Sequence, residues 1–175
     1  LAAPLFVRAL ETEPSVELAR DIAFELQFMP DLLPISGLLA AIDFQCSDQR
    51  TLNLLVDSLA LCRGDQSTEA FASLLLHANK AVRESAELAR NLRNPPARGF
   101  FVHKDSQSLG GLLRGDVIVE AEGSEITTAS DLNALFRELG PSGTVKLAVV
   151  RAGTTILVTE CGGILYNHLT KVKGP

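Results

Sequence analysis

The chain has no cluster of basic residues. Its 175 residues carry a formal net charge of −5, which makes a nucleic-acid backbone or an anionic membrane an unfavourable partner. A long apolar run is missing too. The longest uncharged stretch, Leu32–Ile42, has 11 residues and is interrupted by Pro34, whereas a membrane-spanning helix needs about 20. That stretch also lacks a basic polar face, so it is expected to be the most buried helix and not a membrane anchor. No basic-then-apolar leader opens the chain at Leu1, so a targeting peptide is expected to be absent or removed.

Cysteine and histidine are scarce and scattered. Cys46, Cys62 and Cys161 show no C-x-x-C or Cys/His ligand spacing, which favours buried or free thiols over metal. A Cys46–Cys62 disulfide across neighbouring helices is the alternative. His77, His103 and His168 form no H-x-x-x-H pair, so no metal site is expected. There is no G-x-S-x-G nucleophile setting, no G-x-G-x-x-G and no Walker loop. With no nucleophile, metal or cofactor constellation to assemble, the expectation is a protein that is not an enzyme and needs no cofactor. Two Arg-Gly-Asp triplets, at 63–65 and 114–116, have local explanations as a helix stop and a turn.

What is present is ordinary globular composition, 46% hydrophobic and 21% charged, which argues against disorder. The periodicity changes near residue 95, dividing the chain into an expected helical-bundle domain over 1–95 and a second domain over 96–175. In the first part, Thr12 and Pro14 suit a cap and first turn, and apolar residues at 18, 22, 26 and 29 keep helical spacing until Pro30. Asp31–Phe44 follows, broken at Pro34 or Gly37. Ser47 is expected to cap a segment with Leu52, Leu55, Leu59 and Cys62 on one stripe, stopped at Gly64. Ser67 or Thr68 then begins one longer helix. Phe71, Leu74, Leu75, Ala78, Val82, Leu88 and Leu92 approximate its buried face, Arg93 lies on its surface, and Pro95-Pro96 ends it.

From Gly99 the period is that of strands: Phe100–Lys104, Val117–Ala121, Thr144–Val150 and Thr155–Glu160, with Ala152-Gly153 as a hairpin turn. Segment 130–139 reads as a helix capped by Ser130 and stopped at Gly140. Few strands, one capped helix and several glycine turns fit a small, partly open β-barrel, so the fold class is α+β: an all-α bundle followed by that barrel.

The segment Gly110-Gly111-Leu112-Leu113-Arg114-Gly115-Asp116-Val117-Ile118-Val119, preceded by Gly99-Phe100-Phe101-Val102 and followed by Glu122-Gly123, resembles a PDZ domain of the HtrA type found in bacterial and organellar proteases. The resemblance covers about residues 97–161. It implies peptide binding without chemistry, usually of a carboxy-terminal segment. The ligand adds as a strand and its carboxylate is held by loop N–H groups. The link from Gly99 to Gly115 is shorter than the family's, which implies a reduced extra helix. On the same resemblance Ser130–Leu139 forms a groove wall presenting Ala129, Asn133 and Phe136, with Phe136 lining an apolar pocket; plain core packing is the alternative for Phe136.

The family's carboxylate loop, expected upstream of Gly99, has no counterpart there. One replacement is the tail, where Gly163, Ile164 and Leu165 of Cys161–Leu165 offer a loop and strand in rearranged order. A second is Arg98–Phe101. The implied function is a soluble, non-catalytic adaptor or scaffold that binds a peptide or protein partner, linked to a protease or an assembly complex. Three alternatives stay open: a degenerate packing module, a homo-oligomerising one, or the regulatory end of a larger protease.

Overall fold

A computed structural model describes residues 2–13, 15–103, 111–140, 142–161 and 169–172. Among the described residues seven α-helices combine with an open antiparallel sheet, and the chain divides into two compact units at Arg93/Asn94.

The first unit contains α1 (Ala2–Leu10), α2 (Val16–Leu26), a 3-10 turn (Pro30–Leu32), α3 (Ile35–Gln45), α4 (Gln49–Leu61), α5 (Asp65–Leu75) and α6 (Lys80–Arg93). Ser15, not Thr12, caps α2 by accepting the Leu18 N–H. Asp48, not Ser47, caps α4, its carboxylate accepting both N–H and hydroxyl of Thr51. A carboxylate is the stronger acceptor at a helix N-terminus, where the backbone dipole also favours negative charge. Helix α3 begins after Pro34, one of its two expected break points.

Helix α4, not the Leu32–Ile42 stretch, is the most enclosed helix among the described residues. Every residue from Leu55 to Ala60 is buried, and α2, α3, α5 and α6 all pack on it. Its buried hydroxyls reach internal acceptors, Thr51 Oγ1 on Asp48 and Ser58 Oγ on Leu54 O, which is how a less apolar sequence tolerates deeper burial. Cys62, at its end, is a free thiol, as are Cys46 and Cys161, so the Cys46–Cys62 disulfide does not form. Burial pushes the Cys62 thiol pKa up to about 11.

The single helix expected from Ser67/Thr68 to Pro95 is two helices. Asn79 starts the second by accepting the Ala81 N–H, while its own N–H donates to His77 Nδ1 and Arg83 donates to the His77 and Ala78 carbonyls. The break re-phases the buried stripe to Val82, Ala86, Ala89 and Leu92. Leu88, expected inside, is 43% exposed, and Arg93, expected outside, is buried.

The second unit contains β1 (Gly99–Val102), β2 (Val117–Ala121), β3 (Ser124–Glu125), α7 (Ala129–Leu139), β4 (Thr144–Arg151), β5 (Thr154–Cys161) and β6 (Leu169–Val172). The sheet runs β5-β4-β2-β1-β6, all antiparallel, with β3 paired to β2. Ala152 and Gly153 both have positive φ, as a two-residue hairpin with the twist of its strands requires. One face of the sheet carries a core of Phe100, Leu112, Ile118, Leu132, Phe136 and Leu147. Lys104, at the end of the expected first strand, lies outside the described residues.

Candidate functional site: a strand edge beside a capped helix

The Gly-Asp turn positions this site. Gly115 has a φ of 95°, a region that costs a side chain dearly. Its N–H donates to Val102 O, and Val102 N–H donates to Asp116 O, locking β1 to the start of β2. The Asp116 side chain is 1% exposed. Its carboxylate accepts the Leu113 N–H at 2.9 Å and bonds from Arg151 Nε and Nη2, at 2.8 and 2.7 Å. The same arginine donates to Gly111 O. Its pKa is raised by the hydrogen bonds and charge of Asp116.

Strand β6 pairs with β1 in the register Gly99↔Val172 to Val102↔Leu169. Among the described residues it pairs with no strand on its other side. Thr170 Oγ1 lies 2.7 Å from Nε2 of His103, whose ring packs edge-on against Phe101 with 4.8 Å between centroids. Lys171 Nζ donates to Thr127 O at 2.7 Å, just ahead of α7. Leu169 and Ala129 both pack on the core cluster that holds Phe136. The sheet edge and the helix start thus belong to one local assembly.

That helix start is tightly built. The Thr128 hydroxyl accepts the Asp131 N–H, and the Asp131 carboxylate accepts the Thr128 N–H and the Thr127 hydroxyl. The cap is therefore Thr128, not Ser130, because only Thr128 has Asp131 three residues on to close a capping box. Bonds from the Thr128 and Thr127 hydroxyls hold the Asp131 pKa below its ordinary value.

Of the expected peptide-binding residues, Ala129 and Asn133 are half-buried on α7, whereas Phe136 is fully buried in the core. Gly163, Ile164 and Leu165 lie outside the described residues, in the connection from β5 to β6. Gly110, Pro141 and His168 lie outside them too. Arg98 is exposed and Gly99–Phe101 is buried within β1. His103, Thr170 and Lys171 were not anticipated; the alternation in Leu169-Thr170-Lys171-Val172 is the signal that was available. Among the described residues no three metal-ligating side chains gather, and no helix is long and apolar enough to cross a membrane. Compared with family models, curated proteins and solved structures, the chain matches none.

Proposed function

We propose that this protein is a non-catalytic adaptor whose second unit is PDZ-like and captures a peptide by strand addition between β6 and α7. The observation that carries the reading is the outer position of β6, next to β1 and beside the start of α7. A strand whose far edge is unpaired offers backbone donors and acceptors in register to an extended segment. The strand nearest the groove then comes last in the unit instead of first, a rearranged order of the family's elements.

In this reading the helices form a bundle that engages a second partner, and the pair of units links a peptide-bearing protein to a protease or an assembly complex. Phe136 supports the groove floor from behind. Its complete burial also favours a second reading, in which the groove is filled by the protein's own side chains and the unit is a packing module.

A titration of the chain with fluorescent peptides, each as free carboxylate and as amide, separates the two. Capture predicts saturable binding that is lost on amidation, and lost again when one backbone nitrogen of the peptide is methylated. No saturable binder in a broad carboxy-terminal library would overturn the proposal. Concentration-dependent oligomers by ultracentrifugation would then favour the packing module.

A further inference from the structure

We propose that the groove between α1 and α2 is a docking site for a basic amphipathic helix of another polypeptide. This surface belongs to the helical unit and is independent of the β6 groove. The groove has a volume of about 350 Å³ and is lined by Phe6, Asp21, Ile22, Phe24 and Glu25. Its floor is apolar and its rim is acidic.

The aromatic floor extends beyond the groove itself. Phe24 packs edge-on against Phe28, with 5.3 Å between centroids, and Phe28 is 68% exposed. Leu5 and Leu18 are exposed on the same two helices. Scattered apolar side chains need no explanation, but an aromatic pair continuous with a concave apolar floor marks an interaction surface.

Charge selects the occupant. Glu17, Asp21 and Glu25 fall at i, i+4 and i+8 of α2 and so form one stripe. All three are exposed, and none forms an ion pair among the described residues. The nearby cation of that helix, Arg20, is engaged by Asp48 at 3.4 Å. Like charges at i,i+4 oppose helix formation, so the stripe carries a local cost. A partner helix with apolar anchors at i, i+3, i+4 and i+7 fills the floor. Lysines or arginines one turn apart on its flank then meet the three carboxylates in turn. An anionic membrane or a nucleic acid is repelled by the same stripe, and a small apolar ligand would leave the carboxylates unused.

The probe is a fluorescent helical peptide of about 18 leucine and lysine residues in amphipathic order, long enough to fold on binding, titrated by anisotropy against the full chain. Expected is saturable binding that weakens as salt rises. A peptide of the same composition in scrambled order, and one with glutamate in place of lysine, should bind at least tenfold more weakly. The E17Q/D21N/E25Q chain and the Phe28→Ser chain should each lose at least tenfold in affinity. Neutralising three exposed carboxylates elsewhere, E69Q/E125Q/E138Q, should leave affinity within about twofold. Equal binding of the scrambled peptide, equal loss in the two charge-neutralised chains, or no saturable binding at all would overturn the proposal. The peptide comparisons need only the unaltered chain, so a misfolded variant does not rescue it.

Discussion

The helical unit buries Arg93 and the sheet-bearing unit buries Asp116, each against a chain reversal, and the two are satisfied by opposite means. In the helical unit Arg93 donates to the Leu59 and Cys62 carbonyls at the end of α4 and to the Ser67 and Thr68 hydroxyls at the start of α5. Its guanidinium also lies 5.4 Å from the Phe71 ring centroid. All these acceptors are neutral. In the sheet-bearing unit Asp116 meets a counter-charge, Arg151, and a backbone N–H. The two arginines record the difference. Burial, followed by the charge of Arg63, lowers the Arg93 pKa, whereas Asp116 raises that of Arg151. A cation on neutral acceptors has only their dipoles to set against its desolvation, whereas in the ion pair a counter-charge offsets part of that cost.

The comparison breaks most visibly at Asp116. Asp116→Ala strips Arg151 of its counter-charge and leaves the Leu113 N–H without its acceptor. Removing one partner of a buried pair costs about 3–5 kcal/mol. The lower end, about 3 kcal/mol, is expected because the Arg151 side chain is 32% exposed. Urea unfolding followed by hydrogen exchange should show the loss concentrated in β1 and β2. Unchanged protection there would mean the turn is held by its backbone bonds alone.

A smaller effect is expected at Arg93. Arg93→Met keeps an apolar stem over Phe71 and removes the donors, for a loss of about 2 kcal/mol, since bonds to charged groups are worth roughly 1.5–3 kcal/mol. The same urea titration reads it. A variant as stable as the parent would sharpen the contrast by showing that the stem's packing on Phe71 holds α4 to α5.

The smallest effect tests a charge near the surface. Burial pushes the Asp48 carboxyl up, but the Thr51 hydroxyl and N–H together with Arg20 outweigh it, so the net shift is downward. A folded-state value below the unfolded one, about 3.9, gives stability that is present above that pH and lost as pH falls through the folded value. Asp48→Ala should therefore cost about 1 kcal/mol at neutral pH, a difference that shrinks in strong acid. Parallel urea midpoints at the two pH values check it, and a pH-independent difference would contradict the assignment.

Features fixed by near neighbours were legible in the sequence. The Ala152-Gly153 hairpin and the stop at Gly140 rest on contacts within a few residues, and the Gly115-Asp116 turn and the α4 stripe announce themselves by local residue type and spacing. Caps were displaced by one to three positions wherever two hydroxyl or carboxylate residues competed, as Ser47 did with Asp48. The break between α5 and α6 was missed because Asn79 sits inside an otherwise helical stripe and reveals itself only through the Ala81 N–H it accepts. Arg93 looked like a surface cation because its acceptors come from a different pair of helix ends. The edge strand was the hardest to read: four residues of β6 acquire their meaning from β1, far away in the sequence, and only the possibility of such a strand was visible in the tail.

That long-range pairing has a kinetic consequence. The β4–β5 hairpin closes through a two-residue turn, whereas β6 must find β1 from the opposite end of the unit. Closing a longer loop costs only about 0.6 kcal/mol more per doubling of its length, but contacts of high sequence separation form late and slow the folding rate. Strand β6 is thus expected to arrive last and to leave first. Its amides should exchange at a lower free energy than those of β2 and β4. The unit would then spend part of its time with β1 as its bare margin, a state in which an outside strand competes directly with the protein's own.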